Sequence, residues 1–513
     1  MLTLHHLASL AHGRCKKAIG YQESENMISE SFNSNWFFYR ETDLNAKPAA
    51  TPITLPHDAM LLEKRDPMTK NGFNTGYFPG GIYHYSKIFF APEEYRCKNI
   101  IFEFEGVYMN SEVYINSQRA GGCPYGYSNF YIAADGFIKY GQDNEIEVVV
   151  HNENEPNSRW YSGSGIYRNI KIMVGNLLHI VPHGVKITTK EIHEHRAVLE
   201  VATRVVNNGK DASEVRLQTE FYRKDGEIAT TDEVRTVVNA GETARLMQTI
   251  YIDNPVLWSV DRPNLYTCST KMLNGENVID EDKETFGIRM LALDSNNGLR
   301  INGEVIKLRG GCMHHDNGVI GACTLEAAED RRVRLMKESG FNAIRSAHNP
   351  MSKAMLDACD RHGVLVMDEF SDIWCRNKTR YDYSLYFREW WERDLQAMVD
   401  KDYNHPCVVL YSIGNEITET AIPEGVEFSR KLAERVRSLD PTRFTINSIN
   451  GWLSYFTTLR QKVNKKKKVE ATEKSASDEI GKITSANIKN ITICFIIRLV
   501  QITNHSADSA SRR

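Results

Sequence analysis

After Gly298, short apolar segments alternate with long amphipathic ones, and this alternation restricts the fold more than any other feature of the sequence. The apolar segments predict strands at 305–312, 341–345, 364–370, 408–413 and 443–447. The amphipathic segments predict helices at 325–339, 353–362, 387–403 and 424–439. Strands separated by helices form a parallel sheet, because each helix returns the chain to the start of the next strand. Five such strands, with polar residues after them, predict the first part of a (β/α)8 barrel.

The sequence before Gly298 predicts two antiparallel β-sandwiches. Apolar and polar residues alternate with a period of two at 100–105 in the first block and at 197–202 in the second, which is typical of strands with one buried face. Most aromatic residues of the first block are expected in its core. Trp160 and Tyr161, in a turn, could instead stack on a sugar ring. The second block has immunoglobulin-like size and is predicted to be a scaffold.

The composition is that of a large protein and gives no sign of a strongly charged partner. The chain has 513 residues, 41% of them hydrophobic, which is enough for several domain cores. Its net charge of −3 gives no electrostatic reason to expect nucleic acid or a membrane surface as a partner. The 10 cysteines are scattered singly, a pattern that predicts reduced thiols rather than disulfides or a zinc site. With no basic signal-peptide region and no apolar run of roughly 18 residues, we expect a soluble, cytoplasmic protein.

Polar side chains follow four successive strands of the predicted barrel. In strand order they are His314, His315 and Asp316; Arg345, His348 and Asn349; Asp368 and Glu369; and Asn415 and Glu416. A single histidine at a strand end is more often structural than functional. Four successive strands that all end in such groups predict a binding site, because buried polar groups need partners and the barrel mouth is where substrates bind.

Glu416 is the predicted general acid. A carboxyl group at the end of an apolar strand is expected to lose hydration, which favours its neutral form and raises its pKa. Asn415 could then hydrogen-bond a sugar hydroxyl, although a strand-capping pair is the simpler alternative. Asp368 and Glu369 are neighbours on one strand, so only one can face the site, and structural and functional roles are equally compatible with them. His314 and its two neighbours do not naturally converge on one ion, so neither a metal nor a cofactor is predicted.

Several motifs in these blocks resemble those of glycoside hydrolase family 2, the family of β-galactosidases and β-glucuronidases, and they occur in the family's order between residues 33 and 452. They lie at 55–58, 160–168, 286–289, 308–316, 341–350, 367–369 and 414–416. The resemblance implies a multidomain fold of β and α/β type. Its predicted parts are a jelly-roll sugar-binding β-sandwich at 30–178, an immunoglobulin-like β-sandwich at 179–289, an incomplete TIM (β/α)8 barrel at 290–455 and an atypical tail at 456–513.

The resemblance also implies a chemistry. Family members are retaining glycosidases, in which one carboxyl group protonates the leaving oxygen and a second, about 5–5.5 Å away, forms a glycosyl-enzyme. Glu416 would be the acid/base and Asn415 the partner of the sugar 2-hydroxyl. The predicted substrate-binding residues are Asn415, His314, His348, Arg345 and Glu369, with both histidines in the subsite for the non-reducing sugar.

The sequence departs from the family at the nucleophile. That residue should be a glutamate on the seventh barrel strand, and nothing after Asn450 matches such a strand, since Glu470, Glu473 and Glu479 lie in a polar, lysine-rich context. We therefore expect a C-terminally truncated or frame-disrupted β-galactosidase-like hydrolase of terminal β-linked sugars. The alternatives are a non-catalytic carbohydrate-binding or vestigial fragment, and a β-glucuronidase or β-mannosidase specificity.

Overall fold

The computed structural model describes residues 27–42 and 49–469. Its first block contains two antiparallel sheets, with strand orders β1-β10-β5-β8 and β3-β2-β4-β9-β6-β7. The strands are β1 (Ile28–Ser31), β2 (Trp36–Arg40), β3 (Thr51–Ile53), β4 (Ile82–Ala91), β5 (Asn99–Phe104), β6 (Ser111–Ile115), β7 (Gln118–Cys123), β8 (Phe130–Ala133), β9 (Gln142–His151) and β10 (Ile170–Gly175). Alternation along strands such as β6, whose odd-numbered residues are buried, supplies the apolar face between the sheets.

The second block is a seven-stranded sandwich of two antiparallel sheets, with strand orders β11-β12-β15 and β14-β13-β16-β17. Its strands are β11 (Leu178–Ile192), β12 (Arg196–Asn207), β13 (Ser213–Tyr222), β14 (Ile228–Val238), β15 (Thr243–Asp253), β16 (Tyr266–Asn274) and β17 (Asn277–Phe286). A small three-stranded sheet then leads into the third block. It consists of β18 (Leu291–Asp294), β19 (Gly298–Ile301) and β20 (Glu304–Val305).

The third block is a five-stranded parallel sheet in the order β21-β22-β23-β24-β25, with helices between successive strands from β21 onward. Its elements are β21 (Gly310–Met313), α1 (Glu326–Glu338), β22 (Ala343–Ser346), α2 (Lys353–His362), β23 (Leu365–Glu369), α3 (Phe387–Asp402), β24 (Val408–Asn415), α4 (Pro423–Leu439), β25 (Phe444–Ser448) and α5 (Gly451–Val469). Sequential parallel pairing of this kind is the first part of a TIM barrel. The predicted class, β-sandwiches followed by an incomplete α/β barrel, is confirmed.

Local signals explain why the helices begin and end where they do. In α2, Ser352 caps the first turn by accepting a hydrogen bond from the backbone N–H of Met355, and Gly363 ends the helix in a left-handed conformation. The side chains of Met355 and Leu356 are buried against the core. The first barrel strand is shorter than predicted, because Glu304–Val305 belongs to the small sheet and only Gly310–Met313 joins the barrel.

The described chain ends in α5, which the sequence did not predict. The helix crosses the predicted boundary at residues 455 and 456, so residues 456–469 continue a helix instead of beginning an atypical tail. The rest of that tail, with Glu470, Glu473 and Glu479, lies outside the described residues. Trp452 and Phe456 stack on each other at the surface of α5 and are about half exposed.

Buried apolar residues form two separate clusters. One cluster is shared by the first sandwich and the barrel and includes Trp258 and Val260 of the second block, while the strands of the second sandwich enclose a cluster of their own. No described helix combines the length and the apolar character needed to cross a membrane. The prediction of reduced thiols is confirmed for seven free cysteines and is wrong for Cys97, which is in a disulfide bond.

Candidate active site

The carboxyl ends of β21 to β24 meet the loop of residues 152–169, which extends from the first sandwich. We call this junction the barrel mouth. A cavity at the mouth is lined in part by Tyr127, Arg159, Trp160, His348, Asp372 and Thr379. The site is therefore built by two blocks of the chain, because neither the strand ends nor the sandwich loop alone encloses the cavity.

Glu369, at the end of β23, is fully buried, and its hydrogen-bond partners include Arg345, His348 and Ser412. Its Oε2 accepts hydrogen bonds from the guanidinium of Arg345, with a shortest distance of 2.7 Å, and from the hydroxyl of Ser412 at 2.6 Å. Its Oε1 lies 2.6 Å from Nδ1 of His348. The carboxylate thus fixes the orientation of Arg345, which reaches the mouth from β22, and of His348, which reaches it from the loop after β22.

Asp368 faces the other side of the sheet. Its Oδ1 accepts the backbone N–H groups of Met351 and Glu369, at 2.9 and 3.0 Å, and its Oδ2 lies 3.5 Å from Nζ of Lys401 on α3. The expectation that only one of the two neighbouring carboxylates faces the site agrees with this geometry, and the one that does so is Glu369.

Asn415, the last residue of β24, is held on both sides. Its Oδ1 accepts a hydrogen bond from Nη2 of Arg345 at 2.8 Å, and its Nδ2 donates to Oδ1 of Asp372 at 2.8 Å. Asp372 also binds Arg159 and Lys378. Burial opposes the ionisation of Asp372, but the hydrogen bonds and charges of Arg159 and Lys378 outweigh it and hold its pKa below the usual value.

Glu416 turns out of the strand because its backbone is left-handed, with φ 48°. Its N–H donates to the carbonyl of Ser448 at 2.7 Å, and its Oε1 accepts from Nδ2 of Asn450 at 2.9 Å. Nη2 of Arg159 lies 3.8 Å from its other oxygen. The carboxylate is 34% exposed, so the burial expected for the end of an apolar strand is not found.

An aromatic wall closes one side of the mouth. The ring of Trp160 lies 5.2 Å from that of His314 and 5.6 Å from that of His348, centroid to centroid. The indole N–H donates to the hydroxyl of Tyr127 at 3.0 Å, which fixes the plane of Trp160. Burial and the neighbouring His348 lower the pKa of His314. Tyr161 is not part of the wall, since its hydroxyl donates to Asp58.

His314 and its two neighbours, which were considered as metal ligands, do not point toward a common position. Nε2 of His315 lies 2.9 Å from the carbonyl of Ser162, and burial lowers its pKa to about 3. The described residues hold one other group with ligand-like spacing, formed by Asp357, Asp360 and His405. His405 is already 2.6 Å from Asp360, and Lys353 neutralises Asp357 at 2.9 Å, so this group is a satisfied ion-pair network.

Comparison with known proteins identifies the family. The model described as "Glycosyl hydrolases family 2" matches residues 178–289, and that of "Glycosyl hydrolases family 2, TIM barrel domain" matches residues 294–492. The chain belongs to glycoside hydrolase family 2. The second match extends past the boundary predicted at residue 455, and its last part lies outside the described residues.

Individual members of family 2 agree with this assignment. Beta-galactosidase BoGH2A of Bacteroides ovatus is 35% identical over 466 residues, covering 83% of this chain and 55% of the relative. A family-2 structure from Bacteroides cellulosilyticus superposes with a TM-score of 0.80 at 34% identity, covering 84% of this chain and 57% of its own. The structure of a Bacteroides uniformis beta-glucuronidase superposes with a TM-score of 0.73 at 25% identity, covering 85% of this chain and 54% of its own. The chain thus spans about half the length of the curated relatives it matches.

Sequence reasoning missed three residues of this family-2 site. Arg159, Asp372 and Lys378 all lie in loops, where no periodic pattern marks a direction for the side chain. One signal was present: Arg159 directly precedes the motif 160–168 that carries part of the family resemblance. Asp372 follows the 367–369 motif by three residues, which was too far to be recognised as part of the strand end.

Proposed function

We propose that this chain carries the acid/base half of a β-galactosidase-like glycosidase that acts on a terminal β-linked sugar. Glu416 is the proposed acid/base. The proposed substrate-binding residues are Asn415, His314, His348, Arg345 and Glu369. The observation that carries the proposal is the end of β24, where a carboxylate that is one-third exposed follows a firmly held amide at the barrel mouth.

The two side chains suit different parts of one reaction. Glu416 is 34% exposed, and its side chain contacts Asn450 through Oε1 and Arg159 at 3.8 Å through Oε2, so it can give a proton to a leaving oxygen. Asn415 keeps one amide hydrogen and one lone pair free after its two bonds to Arg345 and Asp372. An amide with one free donor and one free acceptor can bind a sugar hydroxyl.

The charges of the mouth favour a neutral sugar. Arg345 is paired with Glu369, and Arg159 and Lys378 are both paired with Asp372. Arg159 also lies 3.8 Å from Glu416, so the three cations are balanced by three carboxylates and none is left over for a uronate carboxylate. We therefore place a galactoside ahead of a glucuronide, although relatives of both names exist. A β-mannoside is equally neutral and needs the experiment below.

The second candidate is sugar binding without turnover. Retaining hydrolysis requires a second carboxylate about 5–5.5 Å from the first. Among the described residues of the mouth, the carboxylates Glu369 and Asp372 are both engaged by cations, which makes them poor nucleophiles. A non-catalytic carbohydrate-binding fragment therefore remains the rival function.

The accompanying assignments are also proposals. We propose a jelly-roll sugar-binding domain at 30–178, an immunoglobulin-like domain at 179–289 and the catalytic barrel from 290 onward, supported by the separate sheets of these blocks and by the separate core of the second sandwich. A carbohydrate is the proposed partner, and the net charge of −3 favours neither nucleic acid nor a membrane surface. A cytoplasmic location stays a prediction that the free thiols support and the disulfide of Cys97 opposes.

The test is hydrolysis of nitrophenyl β-galactoside, β-glucuronide and β-mannoside by the purified 513-residue chain, with Glu416→Gln as the matched variant. Turnover that disappears in the variant supports the enzyme, and the preferred substrate identifies the sugar. A folded chain that binds galactose-configured inhibitors without turnover supports the binding protein instead. A folded chain that neither binds nor cleaves any of these sugars contradicts both functions.

A further inference from the structure

Asp372 accepts four hydrogen bonds from three side chains of the mouth. Its Oδ2 accepts from Nε of Arg159 at 2.9 Å, and its Oδ1 accepts from Nη2 of the same residue at 2.6 Å. The same Oδ1 also accepts from Nζ of Lys378 and from Nδ2 of Asn415, both at 2.8 Å. Asp372 is only 3% exposed, and these four bonds fix its carboxylate between Arg159, Lys378 and Asn415.

The bond to Asn415 decides which way that amide points. An asparagine amide can rotate by half a turn and exchange its oxygen with its nitrogen at little steric cost. Here the exchange would set the amide nitrogen against the Arg345 guanidinium and the amide oxygen against the Asp372 carboxylate. Both contacts would become repulsive, so the pair of opposite charges on either side allows a single orientation.

Arg159 connects the hydrogen-bonded pair of Asp372 and Asn415 to the first sandwich. Of the three described side chains that donate to Asp372, Arg159 is the one that does not belong to the barrel, and it reaches Asp372 with a bidentate contact. Lys378 completes the set by donating to the backbone carbonyl of Asn415 at 2.8 Å as well as to Asp372. The position of Asn415 therefore depends on both the barrel and the sandwich loop.

We propose that Asp372 is a positioning residue that orients the Asn415 amide toward the sugar 2-hydroxyl, and that Arg159 anchors Asp372 to the first sandwich for this purpose. The inference rests on the proposed function, because it assigns the free donor and acceptor of Asn415 to a hydroxyl of the substrate. A purely structural ion pair would stabilise the fold without any preference for a particular hydroxyl group.

The experiment compares two galactose-configured inhibitors that differ at this hydroxyl. Deoxynojirimycin of galacto configuration has the 2-hydroxyl, and the corresponding isofagomine lacks it. Titration calorimetry gives the ratio of their dissociation constants for the full chain and for Asp372→Asn. We expect the variant to bind the deoxynojirimycin about tenfold more weakly, since one hydrogen bond in a buried site is lost, and to bind the isofagomine within about twofold of wild type.

Two further variants keep the test decisive. Asp440→Asn removes a buried carboxylate from its pair with Arg443, away from the mouth, and should leave the ratio unchanged. If Asp372→Asn does not fold, Arg159→Gln keeps the carboxylate but releases it from the sandwich, and the dissociation constant of the deoxynojirimycin divided by that of the isofagomine should still rise severalfold. Equal weakening of both inhibitors, or no weakening, overturns the positioning role. Failure of the folded wild-type chain to bind either inhibitor overturns the proposed function and this inference together.

Discussion

The two sandwiches meet the barrel at opposite ends, and only one of them contributes to the site. The first sandwich contacts the carboxyl ends of the strands, where Tyr125 donates to the carbonyl of Phe370 and Arg159 binds Asp372. The second contacts the segment that precedes β24, where the backbone N–H of Ile187 donates to Asn404. In TIM barrels the carboxyl end carries the chemistry and the amino end carries stability.

The cores of the two sandwiches differ in the same way. The strands of the first sandwich share one continuous cluster of buried apolar residues with the barrel, while those of the second enclose a cluster of their own and the segment before β16 adds Trp258 and Val260 to the shared one. A shared core fixes the relative position of two blocks more closely than a polar contact does, because packed interiors do not deform continuously. The block that must deliver a side chain to the site is the block that is packed into the barrel.

A matched pair of buried arginines provides the strongest test of this comparison. Arg168 of the first sandwich donates to the carbonyl of Pro350 at 2.9 Å, and Arg289, at the end of the second, donates to the carbonyls of Pro406 and Val408 at 2.6 and 2.7 Å. Replacing either by methionine leaves buried carbonyl groups unpaired, and we expect each variant to lose roughly 3 kcal/mol of unfolding free energy. Urea denaturation measures this loss.

The two arginine variants should differ in ligand binding. Arg168→Met should also abolish binding of the galactose-configured deoxynojirimycin, since it loosens the block that carries the 152–169 loop. Arg289→Met should keep the affinity of the folded molecules. Equal losses of affinity in both variants would show that the two sandwiches do not differ in this respect.

A buried carboxyl group between the first sandwich and the barrel predicts an effect of intermediate size, a stability that depends on pH. Asp394 of α3 contacts Tyr383 and Cys123, and burial, only partly opposed by Tyr383, Ser128, Arg393 and Cys123, raises its pKa to about 7. The unfolded chain releases this proton near pH 4, so stability is full below pH 4 and is lost as the pH rises toward 7. As the pH rises from 5.5 to 7.5, ionisation of this group should lower the free energy of unfolding by about 2 kcal/mol.

The variant Asp394→Asn cannot ionise and serves as the reference for that prediction. Thermal unfolding of both proteins across the pH range isolates the contribution of this residue from that of other titrating groups. The difference in stability between variant and wild type should shift in favour of the variant as the pH rises. A difference that does not change with pH would rule out a protonated Asp394.

The smallest expected effect concerns the aromatic wall. Trp160→Ala removes the ring that packs on His314 and His348, and we expect a loss of about 1 kcal/mol in inhibitor binding, roughly fivefold in the dissociation constant. Trp452→Ala, which truncates an exposed tryptophan on α5, is the control and should leave the affinity unchanged. Similar losses from both would place the ligand away from the mouth.

The barrel elements could be predicted from the sequence because their signals are periodic and local. The predicted helix 353–362 coincides with α2, whose serine cap and terminal glycine are visible in the sequence. The proximity of Arg345, Glu369 and Asn415 could likewise be predicted, because parallel strands end at the same edge of a sheet. The helix α5 was missed because its lysine-rich second half has no apolar pattern that distinguishes it from a polar segment.

Other features of the site depend on contacts that no local pattern records. Arg159 meets Asp372 across 213 residues of sequence, and this pairing follows only from how the sandwich packs on the barrel. The exposure of Glu416 was predicted wrongly for a related reason. A strand pattern assumes extended backbone, whereas this residue adopts a left-handed conformation just after the strand ends.

That left-handed conformation has an evolutionary consequence. A residue with a Cβ at φ 48° carries a strain of roughly 1 kcal/mol that glycine would avoid and asparagine would reduce. In a lineage released from selection for chemistry, drift should therefore replace Glu416 early by one of these two residues. A glutamate retained at this position would record a lineage in which the carboxylate is still in use.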